Sequence, residues 1–357
     1  MNLEFSPFDP HEDSEERQEL FTLCFPESID AGTSTLDHYN WKFHSNGRKS
    51  FEYQARGNGK MLGYYAAINY PYSVDNKSKN IAMVCDVMTH PDSRGQGVFT
   101  KIGHYSTNQL ASEAFSFTTG YPVRPEVIPG HLKVGWKAQF KLPVYICPLK
   151  SHSILSSLRL SGLAFLVDPF LTLAHWIIKK TSAIAPSHCS VKVITQDELV
   201  NLDAYDEFFK SWSSDKKNYL VKDRKFLTWR LGAPKFEYKI AYIEKHGRIQ
   251  ALAITRTVEL NRVPSLAILD LMVLPEANGS ATLLIGELKT LAKHSNQEAV
   301  AMMLSKNLYR ELGLMRSGFI PTPSTFTVIT KLLDESSTTD FSNEEDWPLM
   351  WIDSDDL

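Results

Sequence analysis

VCDVMTHPDSRGQGVFTKIG, residues 84–103, joins an apolar run to a glycine-rich turn and then to a helical pattern. Residues 82–89 are mostly apolar and are soon followed by Pro91, which predicts a buried strand that ends there. The two glycines of the turn Arg94-Gly95-Gln96-Gly97 allow a ligand to approach the backbone closely. Because free N–H groups at a helix start attract phosphates, the stretch predicts a pyrophosphate site with Arg94 beside it.

The spacing of the glycines separates this turn from two other phosphate-binding motifs. A dinucleotide-binding turn has three glycines and an acidic residue about twenty positions later, and a P-loop has Gly-Lys-Ser/Thr. The sequence has neither pattern at this point. A solvated loop with glycines for tight turning is the structural alternative.

Residues 84–103 resemble motif A of the GNAT superfamily of CoA-dependent N-acyltransferases, whose pattern is Arg/Gln-x-x-Gly-x-Gly/Ala. In this chain the Gly-x-Gly pair directly follows Arg94, so the upstream position of the pattern falls on Asp92. The resemblance implies that acyl-CoA is a co-substrate. The residues that it implies for acyl-CoA binding are Val87, Met88, Thr89, Arg94, Gly95, Gln96, Gly97, Val98 and Phe99.

The elements around this stretch are predicted in the order β-α-β-β-β-α-β-α-β over residues 3–147. Gly57-Asn58-Gly59-Lys60 lies between two β-rich runs and predicts a hairpin. The order matches the GNAT fold, an α/β fold whose mixed sheet opens around the pantetheine arm. Gly120-Tyr121-Pro122 and Lys133-Val134-Gly135-Trp136-Lys137 are similar to signatures of the polysaccharide-biosynthesis branch of that superfamily.

The second half of the chain repeats the first. Four matches at offsets of 188, 185, 184 and 183 residues pair Tyr39–Phe43 with Leu227–Leu231, Phe51–Tyr53 with Phe236–Tyr238, Asp86–Met88 with Asp270–Met272, and Gly135-Trp136 with Gly318-Phe319. In place of the Arg94 turn, the second copy has Asn278-Gly279-Ser280-Ala281, without the arginine or the second glycine. We therefore predict two tandem GNAT-like domains, of which the second is degenerate and does not bind CoA.

The predicted organisation has four segments: a GNAT domain with the acyl-CoA site over residues 1–150, an apolar helical linker over 151–186, a degenerate GNAT domain over 187–333 and an acidic tail over 334–357. Asp168-Pro169 interrupts the linker, which predicts a pair of helices broken there and no transmembrane helix. A membrane-surface helix is the alternative. Residues 347–352 are too aromatic for a solvated tail, so we expect them to pack on the body of the protein.

Composition argues against several classes of protein. A chain of 357 residues with 43% hydrophobic and 22% charged residues is expected to be soluble and globular, with two domains. No concentrated run of Lys and Arg indicates nucleic-acid binding, and four dispersed cysteines without a CxxC pair predict reduced thiols and no metal site. The acidic N-terminal residues do not form a signal peptide, so the expected location is the cytoplasm, without stable membrane insertion.

Acyl transfer to an amine needs an oxyanion donor, a base and a proton for the departing thiolate. The resemblance implies that a backbone N–H of residues 87–89 stabilises the oxyanion. It also implies a proton donor four residues before the Gly-Trp pair, at His131, where many GNAT enzymes have Tyr; the second copy has Leu314 there. His90 is predicted as the base, with Glu52, Asp86 and Glu126 as alternatives. For both histidines, a polar surface residue is the structural alternative.

Three residues are predicted to contact the acceptor: Glu52, Tyr121 and Arg124. By the resemblance, the acceptor is a nucleotide-linked amino sugar for surface polysaccharide. The donor is then acetyl-CoA or a short hydroxyacyl-CoA such as 3-hydroxybutanoyl-CoA. Three alternatives remain: an aminoglycoside or small-amine acetyltransferase, a peptidoglycan-type aminoacyl ligase, and a non-catalytic binding module. The weak basic balance argues against the ligase, which needs a tRNA surface.

Overall fold

A computed structural model describes residues 2–45, 47, 49–157, 159–181, 190–277, 279–334 and 339–355. The described chain divides into two compact units, each built from separate stretches of sequence. Unit 1 comprises Met1–Phe140, Leu220–Lys235 and Thr327–Ser342, and unit 2 comprises Lys141–Tyr219, Phe236–Phe326 and Asn343–Leu357. Asn278, in the turn of the second copy, lies outside the described residues.

The strands are β1 Glu4–Pro7, β2 Ser50–Gly57, β3 Lys60–Val74, β4 Lys77–Thr89, β5 Phe117–Gly120, β6 Lys137–Pro148, β7 Ser190–Thr195, β8 Asn218–Leu220, β9 Lys239–Lys245, β10 Arg248–Leu260, β11 Val263–Val273, β12 Ala299–Met303 and β13 Ile320–Leu332. The α-helices are α1 Ser14–Cys24, α2 Ser28–Ala31, α3 Leu36–Phe43, α4 Val98–Ser112, α5 Ile128–Lys133, α6 His152–Ser157, α7 Ala164–Thr181, α8 Gln196–Val200, α9 Ala204–Ser213, α10 Arg224–Leu231, α11 Ser280–His294 and α12 Lys306–Glu311.

Unit 1 contains a mixed sheet in the order β1-β2-β3-β4-β5, with the C-terminal end of β13 beside β5. The predicted hairpin is confirmed, because Asn58 and Gly59 join β2 to β3 with φ of 51° and 76°, as a type I′ turn requires. Helix α4 covers one face of the sheet. Its apolar stripe, which includes Val98, Ile102 and Leu110, packs with residues of β2, β3 and β4 in one core.

Unit 2 contains a second mixed sheet, in the order β6-β12-β11-β10-β9-β7. Strands β10 and β11 form a long hairpin, and β11 leads into α11 as β4 leads into α4. The core between α11 and the sheet includes Leu284, Ile285 and Leu288. The prediction of two copies with mixed α/β sheets is therefore confirmed.

The two units exchange parts of the chain. The end of β13 pairs with β5, with Ile329 opposite Gly120, whereas β6 pairs with β12 of unit 2, with Cys147 opposite Val300. Helix α10 also belongs to unit 1, where Trp229 stacks on its repeat partner Trp41 at 5.6 Å between ring centroids. The units thus differ from the predicted continuous domains 1–150 and 187–333. The sheet of each unit includes a strand from the other half of the sequence.

The linker segment differs from the predicted pair of helices broken at Asp168-Pro169. Helix α7 runs continuously through Pro169, and the break lies instead between α6 and α7. Asp168 lies within this helix, and its Oδ1 accepts hydrogen bonds from the backbone N–H and the hydroxyl of Ser151, at 2.8 and 2.6 Å. Over the described residues, no helix combines the length and apolarity needed to cross a membrane.

Candidate active site

The site forms where β4 separates from β5. Parallel pairing between them is limited to Ala82 with Thr118 and Met83 with Thr119, and beyond these pairs the strands diverge. Past that point, β4 remains paired with its antiparallel partner β3. The N–H of His90, just after β4, donates a hydrogen bond of 2.9 Å to Leu62 O of β3. Because N–H directions alternate along a strand, the N–H of Thr89 points away from β3, toward the gap.

A β-bulge distorts β4 beside this gap. Tyr64 is opposite Met88 and Ala66 is opposite Cys85, so Tyr65 alone is opposite both Asp86 and Val87. Asp86 has a φ of 47°, in the left-handed region that non-glycine residues rarely adopt. The bulge therefore redirects the backbone of Val87 at the point where the gap begins.

Below the gap lies a cleft of about 810 Å³. Residues of α1, β4, the glycine turn, α4 and the segment around α5 line it: Cys24, Phe25, Val87, Thr89, Ser93, Arg94, Gly95, Gly97, Val98, Phe99, Thr100, Arg124, Glu126, Val127, Gly130 and Lys133. Of the nine residues predicted to bind acyl-CoA, seven line the cleft. The other two, Met88 and Gln96, are absent from the lining because Met88 is buried in the sheet and Gln96 donates its side-chain amide to Asp92 O.

The glycine turn presents its backbone to this cleft. Gly95 and Gly97 have φ of 77° and 81°, which makes a side chain unfavourable at both positions. Gly97 precedes the first residue of α4, and the first turn of that helix has no acidic side chain and no side-chain cap. Its N–H groups and the positive end of the helix dipole are therefore available to an anion, with Arg94 beside them.

Asp86 is buried between two cations and cannot serve as the base. Arg17 Nη2 and Lys42 Nζ each lie 2.8 Å from one of its carboxylate oxygens. Burial alone raises the pKa of Asp86, but Lys42 and Arg17 together lower it below the usual value. The carboxylate stays ionised and fixes the bulge, because both ion pairs join β4 to the helices α1 and α3.

His131 lies in α5, buried between two aromatic rings. Its ring centroid is 5.0 Å from those of Phe99 and Trp136, in edge-to-face contacts. Burial lowers the pKa of His131 to about 4, so the imidazole is neutral at pH 7. It therefore lacks the imidazolium proton that the predicted donor role requires, and its contacts are those of a core residue.

The other predicted residues divide between the cleft and the core. Arg124 lines the cleft, but it also forms an ion pair with Glu27 and donates to Cys24 O at 2.9 Å. Glu52 is outside the lining because its carboxylate accepts hydrogen bonds from the hydroxyls of Tyr39 and Tyr64. Tyr121 is also outside, since it is buried.

Among the predicted bases, Glu126 alone lines the cleft. It lies exposed in a 3-10 helix, Pro125–Val127, that follows β5. His90 is not among the lining residues, and its Nδ1 accepts a hydrogen bond of 3.3 Å from the N–H of Asp92. The sequence could not rank these side chains, because the choice depends on the direction of two loops.

Cys24 is a cleft residue that the sequence did not indicate as functional. It ends α1, and its thiol donates to Thr89 O at 3.4 Å, at the end of the motif strand. Burial raises the pKa of Cys24, while hydrogen bonding with the Thr89 backbone and the nearby charge of Arg94 partly offset the rise. The only signal in the sequence was Pro26, two residues later, which favours the end of a helix at this point.

Comparisons with known proteins agree with this architecture. Residues 11–137 match the family model described as an acetyltransferase (GNAT) domain. No curated protein sequence matches the chain. Among solved structures, a GCN5-related N-acetyltransferase from Anabaena variabilis is similar, with a TM-score of 0.65 at 13% identity, over 93% of this chain and 73% of that one.

Two further structures are similar over most of this chain. A tandem GNAT protein from the clavulanic acid biosynthesis pathway has a TM-score of 0.60 at 15% identity, over 94% of this chain and 100% of that one. N-myristoyltransferase from Saccharomyces cerevisiae with bound myristoyl-CoA has a TM-score of 0.60 at 14% identity, over 92% and 78%. Residues 11–137 thus match a GNAT acetyltransferase domain, and the predicted GNAT-like tandem fold is confirmed by the similarity to these structures.

Proposed function

We propose that the protein transfers an acyl group from acyl-CoA to the amine of a nucleotide-linked amino sugar, in the cleft of unit 1. The observation that carries this proposal is the bulged end of β4, which opens beside the glycine turn on a single cleft of about 810 Å³. A strand that loses its neighbour exposes N–H groups to a ligand, and the turn supplies N–H groups for phosphates. Both are needed to bind a thioester at one end and a pyrophosphate at the other.

In the proposed reaction, Arg94 and the N–H groups at the start of α4 bind the pyrophosphate of CoA. The thioester carbonyl then lies beside β4, where the N–H groups of Val87 and Thr89 stabilise the oxyanion of the tetrahedral intermediate. The amine nitrogen bonds to the carbonyl carbon, and the bond from that carbon to sulfur breaks. The amine proton passes to a base, and the CoA thiolate departs and takes up a proton from solvent.

We propose Glu126 as the base that removes the proton from the attacking amine. Its carboxylate lines the cleft, whereas Asp86 is held in two ion pairs and Glu52 in two hydrogen bonds. Lys133 and Arg124, also in the lining, supply positive charge for the phosphates of a nucleotide-linked acceptor. We propose the cytoplasm as the location of this reaction.

The test incubates the full chain with pairs of an acyl-CoA and a nucleotide-linked amino sugar, and detects the acylated sugar by mass spectrometry. Acetyl-CoA and 3-hydroxybutanoyl-CoA are the first donors to compare. Release of CoA with an aminoglycoside or a peptide amine, but with none of the amino sugars, would refute the acceptor and retain the class. No transfer to any amine would favour a binding module.

A matched pair of substitutions tests the base. Glu126→Gln keeps the shape of the side chain but removes the proton acceptor, and a general base contributes about 10²-fold or more to the rate. Glu113→Gln is the control, because Glu113 is exposed and its ion pair with Lys49 lies on the surface of the same unit. Equal rates for the two variants would exclude Glu126 as the base.

A further inference from the structure

Helix α7 presents an apolar surface on the side that faces solvent. A helix on the surface of a globular protein normally has a polar outward face and an apolar inward face. In α7 the outward residues are exposed over about half of their area or more, namely Phe165 at 72%, Leu166 at 50%, Phe170 at 71%, Leu173 at 52%, Trp176 at 53% and Ile177 at 47%. These six residues are called here the α7 apolar face. They make the outward side of α7 apolar, where a surface helix normally has polar residues.

The inward side of α7 is already satisfied by packing in unit 2. His175 Nε2 lies 2.7 Å from Pro148 O, and Ile178 packs beside Gly318. Val167 and Leu171 are half-buried and continue this side at helical spacing. The α7 apolar face is therefore a second apolar side of a helix that is already anchored, and a contiguous apolar patch of this kind indicates an interaction site.

The α7 apolar face continues into a shallow surface that is open to solvent. Phe165, Asp168, Pro169, Thr172, Leu173 and Trp176 form this surface. It consists mainly of carbon, apart from the Asp168 carboxylate and the Thr172 hydroxyl. Asp168 accepts the two hydrogen bonds from Ser151, so its carboxylate is engaged inside the protein.

The charge of the surrounding segment indicates what covers the face. Residues 150–181 contain four basic residues, Lys150, Arg159, Lys179 and Lys180, and one acidic residue, Asp168, whereas the whole chain has a net charge of −3. A positive segment in a negative protein is complementary to an anionic surface. Protruding Phe, Leu and Trp side chains with flanking Lys and Arg are typical of helices that lie in the interface of a bilayer.

We propose that the α7 apolar face docks the protein on an anionic lipid bilayer, with α7 lying in the plane of the interface. Phe165 and Phe170 enter the region between headgroups and acyl chains, and the positive charge of the segment attracts the anionic headgroups. The proposal requires no membrane-spanning helix, in agreement with the absence of one among the described residues.

The test is co-sedimentation of the full chain with vesicles of phosphatidylcholine alone or of phosphatidylcholine with an equal share of phosphatidylglycerol. We expect the protein to sediment with the anionic vesicles and to be partly released at high salt, which screens the basic residues. Phe165→Ser combined with Phe170→Ser should reduce the bound fraction at least about tenfold, because two exposed rings lose their burial in lipid. Arg159→Glu should weaken binding to anionic vesicles less strongly.

The control is Met315→Ser, which removes an equally exposed apolar side chain, at 72%, elsewhere in unit 2. It should bind vesicles as the unchanged protein does. The proposal is overturned if the unchanged protein stays in the supernatant, or if the double variant sediments like the unchanged protein. It is also overturned if light scattering shows a dimer that becomes monomeric in the double variant, since a second copy of the chain then covers the face.

Discussion

The two copies of the strand, turn and helix differ mainly in what occupies the space beside the strand. In unit 1, β4 and β5 pair at two positions and then diverge around a cleft of about 810 Å³. In unit 2, β11 and β12 pair at four positions, Ser265 to Ile268, and the space beside Leu271 is about 10 Å³, room for roughly one water molecule. The helices that follow are each 15 residues long and begin after a glycine with φ near 80°.

The C-terminal tail closes the second copy. The offset that relates Asp86 to Asp270 relates Val87 to Leu271, and the N–H of Leu271 donates to Met350 Sδ at 3.2 Å. Leu304, next to β12, forms a bridge with the same Met350. In the proposed mechanism, the equivalent N–H of Val87 stabilises the oxyanion. In the copy that lacks the arginine turn, the equivalent N–H therefore already donates to Met350, a residue of the C-terminal tail.

The largest expected effect tests whether the first copy is self-sufficient. A chain truncated after Lys150 lacks 220–235 and 327–342, which complete unit 1, including the strand that pairs with β5. We expect this fragment to be insoluble or to lack a cooperative unfolding transition, because β5 has lost a partner and Trp41 its stacked ring. A monomeric fragment that unfolds cooperatively and acylates at the full rate would show that unit 1 does not need those segments.

The next effect tests the closure of the second copy. Trp351 is 1% exposed, and truncating a buried aromatic side chain typically costs about 3 to 5 kcal/mol. Trp351→Ala should lower the free energy of unfolding by that amount in urea, while the folded variant keeps one CoA per chain with unchanged affinity. Phe165→Ala, at an exposed position of the same unit, is the control for stability. A second CoA site in Trp351→Ala would show that the tail alone blocks the second copy.

His131→Leu gives the first copy the residue that the second copy has at Leu314. The folded-state pKa of His131 is lowered from 6.5 to about 4, so the unfolded chain binds a proton first as pH falls. The contribution of His131 to the free energy of unfolding is complete above pH 6.5. It decreases by about 3 kcal/mol as the pH falls from 6.5 to about 4. The variant should lose this part of the pH dependence, and its rate of acyl transfer at pH 7 should stay close to the original.

His131→Leu also tests the original prediction for this residue. A rate reduced by orders of magnitude at pH 7, with unchanged CoA affinity, would restore His131 as the proton donor. Unfolding curves of both proteins between pH 4 and pH 8 provide the stability comparison. If their difference in unfolding free energy is constant over that range, the folded-state pKa is not lowered.

The smallest effect compares the two turns directly. Arg94→Ala should weaken CoA binding by about 1 to 3 kcal/mol, the usual cost of a lost charge-assisted contact with phosphate. Asn278→Ala, at the equivalent position, should leave CoA affinity unchanged. Titration calorimetry measures both. Unchanged affinity in Arg94→Ala contradicts the phosphate assignment, and weakened affinity in Asn278→Ala contradicts the asymmetry between the copies.

Local patterns predicted the parts of the fold that depend on neighbouring residues. The hairpin at Asn58-Gly59, the glycine turn and α4 all follow from turn chemistry and helical spacing. The duplication was visible because Trp41, Asp86 and their counterparts kept their order. The same patterns do not identify the neighbour of each strand, so the exchange of β6 and β13 was not predicted.

Burial separates the predicted site residues that line the cleft from those that lie in the core. His131 was chosen by counting from Gly135, but its protonation is set by Phe99 and Trp136, which only the fold brings together. Glu52 was assigned to the acceptor, yet two tyrosine hydroxyls engage its carboxylate in the core. Glu126 and Cys24 reach the cleft through loop and helix-end positions that a single sequence does not define.

The exchanged strands also govern the order in which the protein can be made. A ribosome releases β5 long before β13, so the sheet of unit 1 has an unpaired edge until about residue 332 has emerged. An exposed strand edge during synthesis invites pairing with other chains. Folding of unit 1 is therefore coupled to synthesis of the chain as far as β13, and slow or interrupted translation between β5 and β13 should lower the yield of folded unit 1.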